Sequence, residues 1–510
     1  MKYLLGIDIG TSGTKTVLFD TKGNGLSNCT VEYPLYQPKI GWAEQDPRDW
    51  WNAVCVSSKE VIEKSGINPV DIAGIGLSGQ MHGLVLLDEN DEVLRKSIIW
   101  CDQRTHEECK EITEKVGAER LIEITANPAL TGFSASEILW VRNNEPDTYS
   151  KISEILLPKD YIRLMLTGEY ATEVSDASGM QLLDIKNRCW SGEVLEKLDI
   201  KREWLGKMYE SCEKTGTVTE AAAIATSLAV GTIVAGGAGD QAAGAVGNGI
   251  VKEGILSSTI GTSGVVFAHM DNIEIDLQGR VHTFCHAVPG AWHVMGVTQG
   301  AGLSLKWFRD NFCIEEMRTA GLMGIDPYVL MDKEAGKISA GSEGVIYLPY
   351  LMGERTPHLD PDARGVFFGL SAAHNKAHMI RAVLEGVVYS LRDCMEIIRD
   401  MGIKASQVRA SGGGGRSPIW RQMQADMFNT NICTINSSEG PALGVAILAG
   451  VASGVYEDVV TACEQIISVK ETQEPDVQSA AVYDKFYKVY GNLYKHLKED
   501  YKEISRIMGE

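Results

Sequence analysis

The amino-acid sequence predicts an α/β fold built from two large domains. A chain of 510 residues is too long for one hydrophobic core, and 44% hydrophobic with 23% charged residues is an ordinary composition for a globular protein. Apolar strand-like runs alternate with helical segments along the chain. The letters IGTSG stand at 9–13 and again at 260–264. This repeat indicates a duplicated chain, and we expect its two domains at residues 1–248 and 249–510.

Each copy of IGTSG has the pattern of a hairpin turn between two strands. An apolar, β-branched run precedes each copy and another follows it. The glycines tolerate positive φ and let a ligand approach the backbone, while the hydroxyls and free amides suit phosphate oxygens. An ordinary hairpin tip would explain one copy, but two copies favour a pair of phosphate-binding turns. Only the first copy follows a carboxylate, Asp8, whereas Thr259 precedes the second, so we expect one nucleotide site with its metal ion.

The remaining elements follow from the spacing of apolar residues. Strands are predicted at 3–9, 14–19, 72–77 and 83–87, where the runs are apolar and short. A long helix is predicted over 375–401, because apolar residues recur there at helical spacing. We assign that apolar face to the core and give it no catalytic role.

Two later segments and the end of the chain complete the prediction. Residues 326–343 are polar and irregular, and 344–370 are rich in Gly, Pro and charge, which is typical of loops near a cleft. The last segment is helical, and we expect its aromatic face to pack on its own domain. That face consists of Phe486, Tyr490, Leu493, Leu497 and Tyr501.

Charge and cysteine content argue against several classes of partner. A net charge of -20 argues against nucleic acid and anionic membranes, so backbone turns must meet any phosphate. The 11 cysteines form no C-x-x-C pair, which indicates a reducing compartment without a zinc site or disulfide framework. No signal peptide is visible, and the apolar stretch 229–250 carries Asp240 and fails as a membrane span. We expect a cytoplasmic protein with no nucleic-acid or membrane partner, and a homodimer stays open.

Eight stretches carry a resemblance to a known family. They are GIDIGTSGTK (6–15), EQDPRDWW (44–51), GLSGQMHGLVLLD (76–88), IIWCDQRT (98–105), GAGDQAAGAVGNG (237–249), STIGTSG (258–264), LPYLMGERTPHLDPDARGVFFGL (348–370) and ASGGGGRSPIWRQMQAD (410–426). Together they resemble the FGGY carbohydrate kinases nearly end to end and, within that family, the xylulokinases. The family's C-terminal signature is met from Gly365 to Glu385. Its N-terminal signature departs at Glu137, where the family has a lysine.

The resemblance implies two actin-like, ribonuclease-H-like domains that face a catalytic cleft. It also implies that ATP and Mg²⁺ are used and that a ketopentose accepts the phosphoryl group, with D-xylulose and its C5 oxygen favoured by SGQMHG and WCDQR. Ribulose, gluconate or glycerol are the alternatives within the family. A non-catalytic sugar or nucleotide sensor is the alternative outside it, although the presence of both Asp8 and Asp240 favours an enzyme.

Two aspartates are the candidates for the chemistry of phosphoryl transfer. Asp240 is a single carboxylate in a run of Gly and Ala, which leaves room for a substrate and suits a general base. A helix N-cap is the structural alternative, and the two roles are compatible. The resemblance places the catalytic aspartate at Asp240. Asp8 ends the first strand beside the phosphate turn and suits Mg²⁺ held mostly through water, although a carboxylate there could also stabilise the turn.

Candidate ligand-binding residues follow from the same stretches. The four glycines of SGGGGRSPIW let backbone lie along a nucleotide beside a helix N-terminus, or alternatively form a flexible loop, and the resemblance assigns them to the adenosine end. The ATP-binding candidates are Gly10, Thr11, Ser12, Gly13, Thr14, Lys15, Gly261, Thr262, Ser263, Gly264, Gly413, Gly414 and Arg416.

The sugar-binding candidates have side chains that can pair several hydroxyl groups. They are Gln80, Met81, His82, Trp100, Asp102, Arg104 and Gln241. Spacing alone would make His82 structural, but the resemblance to the xylulokinases favours a sugar contact. Arg104 could equally be a structural arginine in a salt bridge.

Overall fold

The computed structural model describes residues 2–508, and it confirms the α/β class. The strands in this part of the chain are, in order, β1 (Tyr3–Ile9), β2 (Gly13–Asp20), β3 (Gly25–Glu32), β4 (Glu44–Gln45), β5 (Ile72–Gly79), β6 (Val85–Leu87), β7 (Ser97–Ile98), β8 (Glu154–Leu156), β9 (Ala171–Glu173), β10 (Leu183–Asp184), β11 (Cys189–Trp190), β12 (Lys207–Tyr209), β13 (Lys214–Thr217), β14 (Ile233–Ala235), β15 (Ala238–Gly239), β16 (Ile255–Ile260), β17 (Gly264–Met270), β18 (His282–Cys285), β19 (Trp292–Thr298), β20 (Ile346–Leu348), β21 (Val366–Phe368), β22 (Gln407–Gly412), β23 (Asn431–Ile435) and β24 (Val469–Gln473).

Helices cover most of the residues between these strands. They are α1 (Pro47–Ser65), α2 (His106–Val116), α3 (Ala118–Thr125), α4 (Ser134–Asn144), α5 (Pro146–Tyr149), α6 (Pro158–Thr167), α7 (Val174–Ala177), α8 (Gly192–Leu198), α9 (Glu220–Thr226), α10 (Asp240–Gly247), α11 (Ala301–Phe312), α12 (Ile314–Met323), α13 (Pro327–Ala335), α14 (Lys376–Asp400), α15 (Pro418–Phe428), α16 (Gly440–Ala452), α17 (Val459–Ile466) and α18 (Val477–Met508). No helix in the described range is long and apolar enough to cross a membrane.

Two large sheets share one topology, which confirms the duplication that the repeat predicts. The first sheet has the order β13-β14-β5-β1-β2-β3, with β15 also paired to β5, and the second has the order β18-β19-β17-β16-β22-β23-β24. In each sheet a central strand carries an antiparallel hairpin partner on one side and a parallel strand on the other: β2 and β5 beside β1, β17 and β22 beside β16. Both IGTSG copies therefore lie at hairpin tips at the carboxyl ends of parallel strands.

Helix α16 lies against the first sheet, although it comes from the second half of the chain. A Cβ built on Gly6 would lie 2.0 Å from the Ala442 oxygen, and one built on Gly76 would lie 1.9 Å from the Val445 oxygen. These two glycines let the helix backbone approach β1 and β5 closely. Helix α16 thus belongs to the second half of the chain in sequence and to the first sheet in its packing. The division of the chain between residues 248 and 249 stays a prediction.

The predicted helix at the end of the chain is confirmed, and it packs on its own half of the molecule. Its buried residues Tyr490, Leu493 and Tyr501 join the same core as the long helix α14. The prediction of irregular structure over 326–343 is wrong for Pro327–Ala335, which form α13. Asp326 accepts a hydrogen bond from the Tyr328 amide (2.9 Å), so an Asp-Pro pair that reads as a loop is a helix start.

We predict that Gly76→Ala lowers stability because the new methyl group would overlap the α16 backbone. Overpacking of this kind costs about 1–3 kcal/mol, and here the neighbour is main chain that cannot rotate away. Thermal unfolding should show a melting temperature several degrees below that of the wild type.

The matched control for this change is Gly321→Ala in the exposed helix α12, where a built Cβ meets nothing within 4 Å. Alanine is the better helix former, so this variant should be as stable as the wild type or slightly more stable. Equal melting temperatures for the two variants would contradict the close contact between α16 and the first sheet.

Candidate active site

Three neighbouring strands of the first sheet bring the predicted catalytic groups together. Asp8 of β1 and Ala238 of β15 are both paired in register with Ser78 of β5, which lies between them. Each strand ends one residue later, and the chain continues into the turn at Gly10 after β1, into Gln80 after β5 and into Asp240 after β15. Because β1 and β15 run parallel to β5, these three groups meet at one edge of the sheet.

The two predicted catalytic carboxylates are half-buried, and both have a raised pKa. Burial raises the pKa of Asp8, whose Oδ1 has no hydrogen-bond partner in the described part of the chain, while Ser78 and Lys15 act in the opposite direction. Asp240 is the first residue of α10, and burial together with the charge of Asp8 raises its pKa to about 7. Such a pair is stabilised by a cation.

The donor set at this edge fits one hard divalent cation. Two carboxylates close together, one of them with an unused buried oxygen, are the ligands that Mg²⁺ prefers. Within residues 2–508 no group of three or more His, Cys, Asp or Glu side chains could hold a metal ion. Water and the oxygens of a ligand would therefore have to complete the coordination.

The first IGTSG turn is fixed by hydrogen bonds to its carbonyl groups. The Gly10 amide donates to the Gly13 oxygen (3.1 Å), and the Tyr33 hydroxyl donates to the Gly10 oxygen. Gln45 Nε2 donates to the Thr11 oxygen (2.7 Å). With the carbonyl oxygens engaged on the protein side, the tip at Ser12 is exposed. This is the arrangement expected of a phosphate-binding turn.

The second turn is held in the same manner by a helix. The Gly261 amide donates to the Ser263 oxygen (2.9 Å), while the first amides of α11, at Gly302 and Leu303, donate to the oxygens of Gly261 (2.8 Å) and Thr262 (3.1 Å). Gly261 and Thr262 are exposed. In the described chain the amides of Thr262 and Ser263 have no backbone partner, so they are available to an anion.

Two cavities meet at the glycine-rich loop after β22. The inner cavity has a volume of about 430 Å³ and reaches from Asp240 and Gln241 to the loop. The outer cavity has a volume of about 640 Å³ and lies behind the second turn. Gly413 and Arg416 line both cavities, so one ligand could extend from the outer cavity to Asp240.

Sequence reasoning missed most of the outer cavity. Its apolar walls come from α11, α13 and the start of α15, and the residues concerned are Leu303, Leu305, Tyr328, Val329, Ile419 and Trp420. The Asp-Pro helix start before α13 is the one local signal that could have located part of this wall. Ser437 and Ser438, which line the inner cavity, were also missed, because only the tertiary fold brings that loop to Asp240.

Lys15 is engaged by a partner from the second half of the chain. It lies opposite Asp8 on the β1–β2 hairpin, and its Nζ is 2.6 Å from Glu439 Oε2. Glu439 directly precedes α16. If Lys15 binds the nucleotide as predicted, its ammonium group must either contact the nucleotide and Glu439 together or break its ion pair with Glu439.

Gln80 and Trp100 both contact the first turn. The Thr11 hydroxyl donates to Gln80 Oε1 (3.2 Å), and the Gln80 amide group donates to Gln45 Oε1 (2.7 Å). Trp100 Nε1 is 3.0 Å from the Thr11 hydroxyl, and its indole is 46% exposed at the cleft. The exposed ring is free to cover a ligand.

Met81 and His82 follow Gln80 after β5, and Met81 packs against Gly239, the residue before Asp240. His82 has positive φ (73°), stacks on Phe133 at 4.3 Å between centroids, and places Nδ1 2.8 Å from the Gly179 oxygen. Burial lowers the pKa of His82 to about 4, so the ring is neutral. Because the carbonyl can only accept, Nδ1 carries the proton and Nε2 is a free acceptor.

Asp102 and Arg104 form a buried ion pair, and this geometry favours the structural alternative for Arg104. Asp102 accepts hydrogen bonds from Arg104 Nη2 (2.7 Å) and from the Ala43 amide (2.6 Å). The Arg104 guanidinium also lies 3.7 Å from the centre of the Trp42 ring and 2.8 Å from Glu44. The pair fixes the loop that carries Trp100, and a direct sugar contact by either residue stays a prediction.

Glu137, which departs from the family signature, lies beside this ion pair. It is fully buried on α4, and both of its carboxylate oxygens lack a hydrogen-bond partner in the described chain. Burial, and then the charge of Asp102, hold the pKa of Glu137 well above its usual range. The charges of Arg104 and Arg95 oppose this shift, and a lysine ammonium at this position would instead face both guanidinium groups.

Comparisons with known proteins agree with this geometry. Residues 3–247 match the N-terminal domain of the FGGY family of carbohydrate kinases, and residues 256–453 match its C-terminal domain. The chain is 39% identical over 499 residues to the xylulose kinase of Bacillus subtilis, with 98% of each chain covered. It is 34% identical to the gluconokinase of the same organism, with 99% of this chain and 98% of the relative covered.

A solved structure has the same fold over nearly the whole chain. The crystal structure of ligand-bound xylulose kinase from Lactobacillus acidophilus aligns with a TM-score of 0.92 and 29% identity, covering 99% of this chain and 100% of the other. The expectation of two actin-like, ribonuclease-H-like domains is thus confirmed. Both halves of the chain match, the two phosphate turns lie on equivalent strands, and the paired carboxylates lie beside the first turn. This chain belongs to the FGGY family of carbohydrate kinases.

Proposed function

We propose that this carbohydrate kinase transfers the γ-phosphoryl group of ATP to the C5 hydroxyl of D-xylulose, giving D-xylulose 5-phosphate. The observation that carries the proposal is the position of Asp240. Its carboxylate lies at one end of the inner cavity, with the loop at Gly413 at the other end, and Met81 packs against Gly239, the residue before Asp240. The identity to xylulose kinases supports the choice of sugar.

Asp240 is the general base in this account. An acceptor hydroxyl at the inner cavity would donate its proton to the Asp240 carboxylate as its oxygen attacks the γ-phosphorus. A base with a pKa near 7 is half ionised at neutral pH and holds the proton it has accepted. Kinases of this family use ATP with Mg²⁺, and Asp8 would hold that ion, which when bound neutralises charge on the phosphoryl oxygens.

The nucleotide is bound by both halves of the chain. The apolar outer cavity between α11, α13 and α15 has the size and lining to take the nucleoside. Its phosphates would pass Gly413 and Arg416 and accept hydrogen bonds from the second turn, Gly261 to Gly264. The first turn, Gly10 to Thr14, would approach the same phosphates from the other sheet. Closure of the cleft would therefore exclude water from the γ-phosphate.

The sugar is bound mainly by the first half of the chain. The free Nε2 of neutral His82 accepts a hydrogen bond from a sugar hydroxyl, and Trp100 covers the exposed side. Gln80 and Gln241 flank the acceptor end beside Asp240. We place the enzyme in the cytoplasm, where a protein with eleven free cysteines and ATP as its substrate would work.

The substrate itself is tested by ADP release from MgATP across a panel of D-xylulose, ribulose, gluconate and glycerol. We expect D-xylulose to give the highest kcat/KM. Gluconate is the first alternative, because a gluconokinase is 34% identical to this chain. A panel in which no ketopentose raises ADP release above background would contradict the proposal.

Replacing the base should remove turnover and leave sugar binding intact. Asp240→Asn keeps the shape of the side chain but cannot accept the proton, so kcat should fall by at least about two orders of magnitude. Calorimetric titration should give a D-xylulose dissociation constant close to that of the wild type. Asp458→Asn is the matched control, because Asn preserves the exposed N-cap of α17. Near-normal kcat in folded Asp240→Asn would exclude Asp240 as the base.

The pH dependence of kcat/KM should report the raised pKa of Asp240. The active form is the carboxylate, so activity should be full above pH 7 and fall as the pH drops through about 7, where an ordinary aspartate would stay active to about pH 4. The residual activity of Asp240→Asn should not show this fall at low pH. Titration of the nucleotide would affect both proteins, so the comparison assigns the fall in the wild type to Asp240. A wild-type profile that is flat down to about pH 5 would contradict the assignment.

Removing the free nitrogen of His82 should weaken sugar use without disturbing the fold. His82→Asn can keep the hydrogen bond to Gly179 and tolerates positive φ, but it lacks Nε2. The unpaired sugar hydroxyl should cost about 1–3 kcal/mol, or one to two decades in kcat/KM for D-xylulose. A value within about twofold of the wild type, at an unchanged melting temperature, would make His82 structural.

A further inference from the structure

One arginine at the cleft has a charge that no protein group neutralises. Arg355 follows β20 in the GERTPH stretch and is half-buried. Across residues 2–508, no hydrogen bond or ion pair involves its guanidinium, and burial alone lowers its pKa. The buried arginines Arg163 and Arg381, by contrast, are paired with Asp160 and Glu385. A half-buried guanidinium without a protein partner is available to pair with a ligand.

The backbone at Arg355 is held firmly against strand β19. The preceding residue, Glu354, accepts hydrogen bonds from the Thr298 hydroxyl (2.7 Å) and from the amides of Gln299 (2.9 Å) and Arg355 (2.7 Å). The Thr356 amide donates to the Val297 oxygen (2.9 Å). Glu354 is thus committed to β19 and, in the described chain, does not pair with the Arg355 guanidinium.

This anchoring places Arg355 opposite the sugar end of the site. Val297 packs on the cluster that contains Met81 and Phe133, so the strand beside Arg355 touches the residues around His82. The Thr356 hydroxyl donates to the Arg280 oxygen (2.9 Å) just before β18, whose Phe284 ring lies 6.3 Å from the His82 ring. The charge of Arg355 accordingly lowers the pKa of both His82 and His282. Arg355 therefore belongs to the second half of the chain and lies near the sugar-binding candidates of the first half.

The two groups that meet at this end are complementary. Nε2 of His82 can only accept a hydrogen bond, so it can bind a hydroxyl but not a carbonyl oxygen. The Arg355 guanidinium can only donate, so it can bind a carbonyl oxygen or a hydroxyl. An open-chain ketose offers one oxygen that only accepts, next to hydroxyls that donate. A pentitol offers hydroxyls alone and gains less from a charged donor.

We propose that Arg355 is a specificity-determining residue that donates a hydrogen bond to the ketone oxygen of the sugar while His82 accepts one from a neighbouring hydroxyl. This inference rests on the proposed function, since it requires a ketose as the substrate. The sugar site is then formed by both halves of the chain, with a hydrogen-bond donor from the second half and an acceptor from the first. The site then prefers a ketose to the polyol formed by reducing its ketone.

The test compares D-xylulose with the two pentitols, xylitol and D-arabitol, at saturating MgATP. Arg355→Met should lower kcat/KM for D-xylulose at least about 30-fold, mainly through KM, and bring the ketose-to-pentitol ratio close to one. Arg355→Lys, which keeps the charge and loses the planar donor pair, should lie between the two proteins. Arg318→Met removes an exposed arginine outside the cleft and should leave both quantities unchanged.

The outcomes separate this inference from the proposed function. A wild type that uses D-xylulose and an Arg355→Met protein with the wild-type ratio would overturn the role of Arg355 and leave the function standing. An equal loss for ketose and pentitols would also overturn it, because a merely structural arginine gives that result. If Arg355→Met does not fold, Arg355→Lys decides by the same ratio. A wild type inactive on every ketopentose would overturn the function and, with it, the ketone contact.

Discussion

Two half-buried carboxylates at one edge of the first sheet set the conditions for the whole site. Asp8 and Asp240 lie at the ends of strands on either side of β5, and the charge of Asp8 destabilises the charge of Asp240. A cation between them relieves this repulsion, and a proton on Asp240 relieves it as well. The same repulsion therefore favours both the proposed metal ion at Asp8 and the proposed base at Asp240, whose pKa is raised to about 7.

The rest of the fold places ligands around this pair. Helix α10 starts at Asp240 and packs on α16 so closely that Cβ atoms built on Gly247 and Gly444 would each lie 1.9 Å from a backbone oxygen of the facing helix. Helix α16 in turn lies on the first sheet, so a segment from the second half of the chain fixes the position of the base. The duplicated hairpins then present one proposed phosphate-binding turn from each sheet. Lys15 and Glu439 add an ion pair between the two halves.

Features with a local cause could be predicted from the sequence. The strands, both hairpin turns and the helix over 375–401 follow from short-range patterns of apolar residues and glycine, and the pairing of Asp8 with the first turn follows from their adjacency. The family resemblance supplied the role of Asp240 and the order of the domains. Helix α13 was missed because an Asp-Pro pair predicts a helix start only when the following residues pack, and they pack on the outer cavity.

Features that arise from contacts distant in sequence could not be predicted. Arg104 was a candidate sugar ligand, but Trp42 and Glu44 complete its ion pair with Asp102, and nothing in WCDQRT indicates them. The unpaired charge of Arg355 could not be predicted from the sequence either. An arginine next to a glutamate suggests a salt bridge, but Glu354 forms its hydrogen bonds with the end of β19.

The central claim is that Asp240 directs phosphoryl transfer to one hydroxyl of one sugar, and the position of the phosphate in the product tests it most directly. Phosphorus–proton correlation by NMR on the product of wild-type enzyme, MgATP and D-xylulose should show phosphorus coupled to the C5 protons alone, with at least about 100-fold less product from Asp240→Asn in the same time. Phosphate on C1, or an equal yield of product from the Asp240→Asn protein, would contradict the account.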